Sequence, residues 1–308
     1  MSTIAAGNTS TTGLVQSSDT TGNLVFQTNG TTTALTINSA QVATFANTVV
    51  APNSNIPRVF GQTGGNNSGA PTTKYDFAAS GVILVDSNRT SVARGSTGTV
   101  TNDTGLSGSA ANGRDQAGAF SNSSWIHFYW IWNGTTLATI SSATAPPTGP
   151  TLPTGYTHWA YICTIYKNSG GSLLTTKLGG SYVIYPTYAT ITTSSTTSGS
   201  EVDWTSTFTT LVPTIATSFS TQLACYFVPS NGNQCNITIY PRIVSGSNAG
   251  RVVGLLAGPA VGYVGLGGEC ANLVNTGNFY TYTLPSNNYA AATTEVYITN
   301  YTVPNGDA

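Results

Sequence analysis

The sequence predicts an all-β protein: a short N-terminal intertwined stalk or attachment segment, then an antiparallel β-sandwich or barrel body, assembled as a trimer. Three observations carry that expectation. Thr, Ser, Asn and Gly dominate the 308 residues, with 34 Gly and 14 Pro; β-branched Thr favours strands, while Gly, Asn, Ser and Pro make turns. Apolar residues come in short alternating runs between those turn formers, and no helical period of apolar residues outlasts two turns. Only 6% of residues are charged, against about 25% in ordinary soluble domains, so copies can lie side by side without like-charge repulsion.

Residues 1 to 50 are the expected stalk. They hold one charged residue, Asp19, and two aromatics, Phe26 and Phe45. The start at Met1 shows neither the basic nor the apolar region of a secretory signal. Apolar pieces recur at residues 24–26, 34–37, 42–45 and 49–50. By the two-residue period, Leu35 and Ile37 share one strand face, as Ala43, Phe45 and Val49 do in the next. So few large apolar side chains do not fill a private core. The nearest partner is another copy of the chain, in a three-fold bundle.

Residues 51 to 73, rich in Gly, Asn and Pro, read as a linker. Residues 74 to 185 read as a β-sandwich module, and 186 to 308 as a second β-rich module or a continuation of the first, with a seam near residues 186 to 200. Strands are expected at residues 81–85, 125–132, 135–141, 156–166, 172–178, 182–185, 207–212, 223–228, 236–243, 250–256, 279–284 and 294–301. In the second of these, Ile126, Phe128, Trp130 and Trp132 point one way and Trp125, His127, Tyr129 and Ile131 the other. Both faces are largely apolar, so the strand is expected to be covered on both sides. Asn133-Gly134 after it predicts a tight hairpin. Asp115 in the Asn112-Gly-Arg-Asp turn, and the Pro153-Thr-Gly155 turn, are read as turn geometry, with Gly supplying positive φ. Cys225 and Cys235 flank a turn and are placed to face each other across a hairpin; buried free thiols are favoured over a disulfide there.

Several functions are excluded or left without a signal. No window approaches the roughly 20 unbroken apolar residues of a spanning helix, because residues 252–268 are broken by Gly254, Gly258, Pro259, Gly262 and Gly265. A net charge of -1 leaves no electrostatic footprint for nucleic acid. The two histidines, His127 and His158, read as core or interface residues rather than as the base of a nucleophilic site. Glu201 with Asp203 is the nearest approach to a metal-ligand pair and reads as a solvated edge. The glycines of residues 254–268 lack the Lys of a phosphate loop and read as turns and close packing. Catalytic, cofactor-binding and metal-binding residues are therefore not expected. Spacing neither favours nor excludes a hydrolytic pair among the 10 Asp and Glu.

Four stretches carry a resemblance. Ala111-Asn-Gly-Arg-Asp-Gln-Ala-Gly118, Ser124-Trp-Ile-His-Phe-Tyr-Trp-Ile-Trp-Asn133, Pro150-Thr-Leu-Pro-Thr-Gly-Tyr-Thr157 and Ile162-Cys-Thr-Ile-Tyr166 together resemble a β-rich module of tailed-bacteriophage tail fibres and other virion proteins. In that module an Asn-Gly-x-Asp turn precedes a Trp/Tyr-rich strand, and a Leu-Pro-x-Gly-Tyr-Thr turn leads into a strand that usually carries Arg-Arg. Here that strand reads Trp159-Ala-Tyr-Ile-Cys-Thr-Ile165, without the basic pair. The leader, with Asn23-Leu-Val-Phe-Gln-Thr-Asn-Gly30 and Leu35-Thr-Ile-Asn-Ser39, is similar to N-terminal segments of phage structural proteins. The resemblance covers residues 1 to 50 loosely and about 80 to 185 more specifically.

It implies a non-enzymatic virion protein, made in the host cytoplasm and carried on the tail or capsid exterior. The expected form is a homotrimeric tail fibre or short spike, docked to other virion proteins through residues 1 to 50 and binding a host surface glycan or protein. The alternatives are a capsid decoration or cement protein and a polysaccharide depolymerase tailspike. With 16 Tyr and 5 Trp, polar-tipped aromatics suit such a surface. Tyr280, Tyr282, Tyr289 and Tyr301 are the candidate recognition residues.

Overall fold

A computed structural model describes residues 24–28, 32–38, 40, 43–45, 56–196, 202–207, 209–229, 235–242, 253–257, 262–271, 278–283 and 289–305. There is no helix among the described residues. The strands are β1 (Leu24–Thr28), β2 (Thr32–Ile37), β3 (Ala43–Phe45), β4 (Arg58–Phe60), β5 (Thr63–Asn66), β6 (Lys74–Ala78), β7 (Gly81–Val85), β8 (Ser91–Arg94), β9 (Val100–Asp103), β10 (Gly113–Arg114) and β11 (Ser124–Trp132). They continue with β12 (Leu137–Ser142), β13 (His158–Lys167), β14 (Lys177–Gly179), β15 (Tyr182–Thr196), β16 (Val202–Thr207), β17 (Ser218–Pro229), β18 (Cys235–Arg242), β19 (Val253–Ala257), β20 (Gly262–Ala271), β21 (Asn278–Thr283) and β22 (Tyr289–Thr302). The chain divides into two units, Met1–Ala51 and Pro52–Ala308.

In the first unit β1, β2 and β3 form an antiparallel sheet. Its register sets Leu35 opposite Phe26 and Phe45, and Ile37 opposite Leu24 and Ala43. The period-two pattern of the sequence thus becomes one row of apolar positions. Leu35 and Ile37 nevertheless stay half-buried.

In the second unit, one sheet runs β10-β12-β11-β13-β7-β4 with β8 on β7, and another runs β20-β17-β22-β15-β14-β5-β6-β9. A smaller sheet runs β16-β21-β18-β19. Pairing is antiparallel apart from β10 with β12. The two large sheets pack as a sandwich through aromatic side chains. Phe77 of β6 lies 5.2 Å from Phe128 and 6.4 Å from Trp130 of β11, and Trp125 lies 5.9 Å from Tyr301 of β22. Each such pair adds about 0.5–1.5 kcal/mol beyond the area it buries. Every residue of β11 from Ile126 to Trp132 is buried, as both-face hydrophobicity predicts.

Hydroxyls and amides also work inside. Thr139, Ser141, Asn102 and Thr164 are fully buried, each bonded: Asn112 Oδ1 accepts from Thr139 N at 2.9 Å, Ser141 Oγ donates to Gly113 O at 3.0 Å, Asn102 Nδ2 donates to Gly113 O at 3.2 Å, and Thr164 Oγ1 donates to Ile126 O at 3.0 Å. A core that satisfies backbone groups with neutral side chains needs few charges. An ion pair, Lys74 with Asp103 at 3.3 Å, lies at the surface, where such pairs contribute little.

Several expectations are corrected. Residues 58 to 66, within the expected linker, form β4 and β5. β5 has almost no apolar side chain; it is seated by Gly64, where a Cβ would come within 2.7 Å of Asp76 O and 3.1 Å of the Tyr75 ring. β15 runs unbroken over Tyr182–Thr196 and pairs with β22 along it, across the described part of the expected seam; residues 197 to 200 lie outside the described residues. Residues 209 to 212 are turn rather than strand. Gly262, Gly265, Gly267 and Gly268, read from the sequence as turns and close packing, lie within β20, which pairs along β17. Cys225 and Cys235 do not share a hairpin: β17 pairs with β20 and β22, and β18 with β19 and β21. Their side chains lie outside the described residues. In the Asn112-Gly113 turn the positive φ, +61°, belongs to Asn112. At Gly113 an added Cβ would come within 3.0 Å of the exposed Leu106 side chain. Gly155 carries φ +87° as expected. The β11–β12 hairpin closes with Trp132 opposite Leu137, and Asn133 Oδ1 accepts from Thr135 N at 3.0 Å and Thr136 N at 2.7 Å.

Candidate functional site

The eight-stranded sheet turns one face to the core and the other outward. Alternation decides which residues go where: in β6 Tyr75 and Phe77 are fully buried, while Lys74, Asp76 and Ala78 are not. Following the register sideways gives two outward rows. One runs Ser218, Thr302, Tyr182, Gly179, Thr63, Ala78; the other runs Ser220, Asn300, Ile184, Lys177, Gly65, Asp76, Thr101. Its charges balance: Asp76 and Lys177 share one row, and Lys74 pairs with Asp103 beyond it. Tyr182 and Ile184 are exposed on it, at 47% and 41%.

Where glycines interrupt these rows the surface is hollow. An open cavity of about 380 Å³ is lined by Thr63, Gly64, Gly65 and Asn66 of β5, Asp76 of β6, and Thr99, among others. That volume lies in the range of small-molecule sites. Asp76 is its one ionisable lining group. Its Oδ1 accepts from Thr101 Oγ1 at 2.6 Å, and both carboxylate oxygens accept from Asn67 Nδ2 at 3.0 Å. Asn67 is itself oriented, because its Oδ1 accepts from Gly69 N at 3.0 Å and Ala70 N at 3.1 Å. The carboxylate is thus held in one orientation with acceptor capacity left over. It can receive hydrogen bonds from a bound molecule without first rearranging.

The other singled-out residues do not converge on chemistry. His127 is buried with Nδ1 unpartnered, and burial pushes its pKa down to about 4. His158 Nδ1 meets Thr157 Oγ1 at 2.8 Å; burial lowers its pKa, with opposing effects from Asp86 and Arg94. Arg94 stacks on Trp132 at 3.8 Å, a cation–π contact. Asp115 is buried and accepts from Thr151 N at 3.2 Å, which ties the two motif turns together. Cys163 is a free, buried thiol whose pKa burial pushes up, so it is inert. Among the described residues no group of three or more His, Cys, Asp or Glu converges on a metal position. The side chains of Glu201 and Asp203 lie outside the described residues.

Of the four candidate tyrosines, Tyr301 is corrected. It is fully buried, its hydroxyl donating to Thr164 O, and burial drives its pKa up. It is a core residue because β22 turns position 301 toward the seven-stranded sheet. Tyr280 and Tyr282 lie on β21 and Tyr289 opens β22; their side chains lie outside the described residues. Sequence reasoning missed Asp76, Gly65 and Tyr182. The available signal was the pair Gly64-Gly65 followed by the alternating Lys74–Ala78 strand.

No protein-family model matches the chain, and no curated protein matches it. Among solved structures it is similar to an exo-beta-1,3-galactanase from Phanerochaete chrysosporium, in a crystal structure with galactose. The identity is 15%, the match covers 87% of this chain and 59% of that one, and the TM-score is 0.22. A likeness that slight carries no argument about fold or activity.

Proposed function

We propose that the protein is a non-enzymatic bacteriophage virion protein: a homotrimeric tail fibre or short spike, anchored through residues 1 to 50, whose β-sandwich body engages the host cell surface. The observation that carries the reading is the first unit's small sheet, whose Leu35 and Ile37 stay half-buried in a single copy. A sheet this small needs further apolar surface to become stable, and identical copies around an axis supply it. The outward face of the body fits the second half of the reading. It is polar with its charges balanced, so repeated weak contacts across identical subunits can add up through effective concentration.

The test is adsorption. The purified full chain, added in excess, is expected to block attachment of the phage that carries it, and to sediment as a trimer. No competition at saturating dose, with the protein imaged on the capsid in hundreds of copies, identifies a decoration protein instead. Release of reducing ends from host polysaccharide identifies a depolymerase.

A further inference from the structure

We infer that the hollow on the outward face of the eight-stranded sheet is a binding site for a neutral oligosaccharide. The inference deepens the host-binding reading above and rests on it for the source of the ligand.

Three features point to that class. The floor is bare backbone at Gly65, where an added Cβ finds only Thr176 O, at 3.7 Å; beside the cavity, on the neighbouring strand, the surface is bare again at Gly179, where an added Cβ finds nothing within 4 Å. Both positions tolerate a side chain and have none, so the hollow is not a packing requirement, unlike Gly64. At one end Asp76 offers a fixed acceptor, oriented by Thr101 and Asn67. Vicinal sugar hydroxyls donate to such a carboxylate. Beyond the cavity's own lining, two strands from β5 on the same face, the half-exposed Tyr182 offers an apolar face with a polar tip, onto which the C–H side of a sugar ring stacks.

Charge and length narrow the class further. The single carboxylate shares its row with Lys177, which cancels the local field and disfavours strongly anionic or cationic ligands. From Tyr182 through Gly179 and Thr63 to β6 is three strand spacings, about 14 Å. That span suits a di- or trisaccharide laid across the strands.

The experiment is binding of the full-length protein to an array of immobilised neutral and acidic oligosaccharides, followed by titration of the best neutral one. Gly65→Thr places a β-branched side chain on the floor where there is room and strand propensity rises. It is expected to weaken binding at least tenfold with an unchanged melting temperature. Asp76→Asn and Tyr182→Ala are expected to do the same from the two ends, and either serves if Gly65→Thr fails to fold. Binding of acidic oligosaccharides alone, no neutral binding, or neutral binding undiminished in all three variants overturns the inference. Neutral binding lost in the variants supports it even where the protein fails to block adsorption, and that failure then counts only against the tail-fibre reading. Blocked adsorption without oligosaccharide binding counts only against this site.

Discussion

Asn305 holds Val59 by both of its backbone groups, accepting from Val59 N at 2.8 Å and donating to Val59 O at 3.0 Å across 246 residues of chain. β4 is three residues long and ends the seven-stranded sheet, so Val59 has unpaired backbone groups on its outer side. Such an edge needs a cap. Asn305→Ala is expected to destabilise the protein by about 1–3 kcal/mol, the usual consequence of leaving buried backbone groups unpaired. Asn305→Asp, which keeps an acceptor and loses the donor, is expected to fall between. Urea unfolding of the three proteins checks the order.

The Asn112-Gly113 turn separates two reasons for a residue's presence. Asn112 sits at φ +61° and its Oδ1 accepts from Thr139 N, so Asn112→Ala combines backbone strain with a lost hydrogen bond. A loss of about 2–3 kcal/mol is expected. Asn112→Gly removes the bond but not the conformational fit and should lose less. Gly113→Ala meets only the half-exposed Leu106 side chain, which can move aside, so a loss of under about 1 kcal/mol is expected. Thermal melts of the three variants are decisive; Gly113→Ala as the most damaging would refute the assignment.

Stability is expected to fall on mild acidification because of His127. Burial lowers its folded pKa to about 4, against about 6.5 in an unfolded chain. Between those values the unfolded state binds a proton that the folded state excludes. This contribution is therefore fully present above pH 6.5 and is lost as the pH falls toward 4, amounting to roughly 3 kcal/mol at most. His127→Phe should flatten that part of the profile. Urea midpoints at pH 7 and pH 4.5 measure it, and an unchanged slope in the variant would remove His127 as the cause.

Tyr301→Phe tests the correction at that position. Removing the hydroxyl leaves the buried Thr164 carbonyl without this donor, and about 1–3 kcal/mol of stability should be lost. Oligosaccharide binding and adsorption should not change. A loss of binding with stability intact would restore Tyr301 to the recognition surface.

Legibility in the sequence followed a physical rule. β7, β11 and β13 were readable because their own side chains carry their burial. Alternation or double-faced hydrophobicity is then printed in the sequence itself. β5 was not, because a glycine strand carries no side-chain pattern of its own and is placed by what the neighbouring strand presents. Gly64 belongs in a strand only because Tyr75 and Asp76 lie against it.

The same division runs through the candidate site. Composition alone determines an all-β, nearly uncharged protein rich in neutral hydrogen-bonding groups, since those are properties of residue types. Which tyrosine meets solvent is a property of the sheet. Tyr182 and Tyr301 both lie near strand ends, each with a polar residue beside it, Ser181 and Thr302. Yet the register turns the first outward beside Gly179 and the second inward onto Thr164. One residue of register moves a side chain through the sheet, and the pairing of β15 with its hairpin partner β14 and with the distant β22 is what sets it.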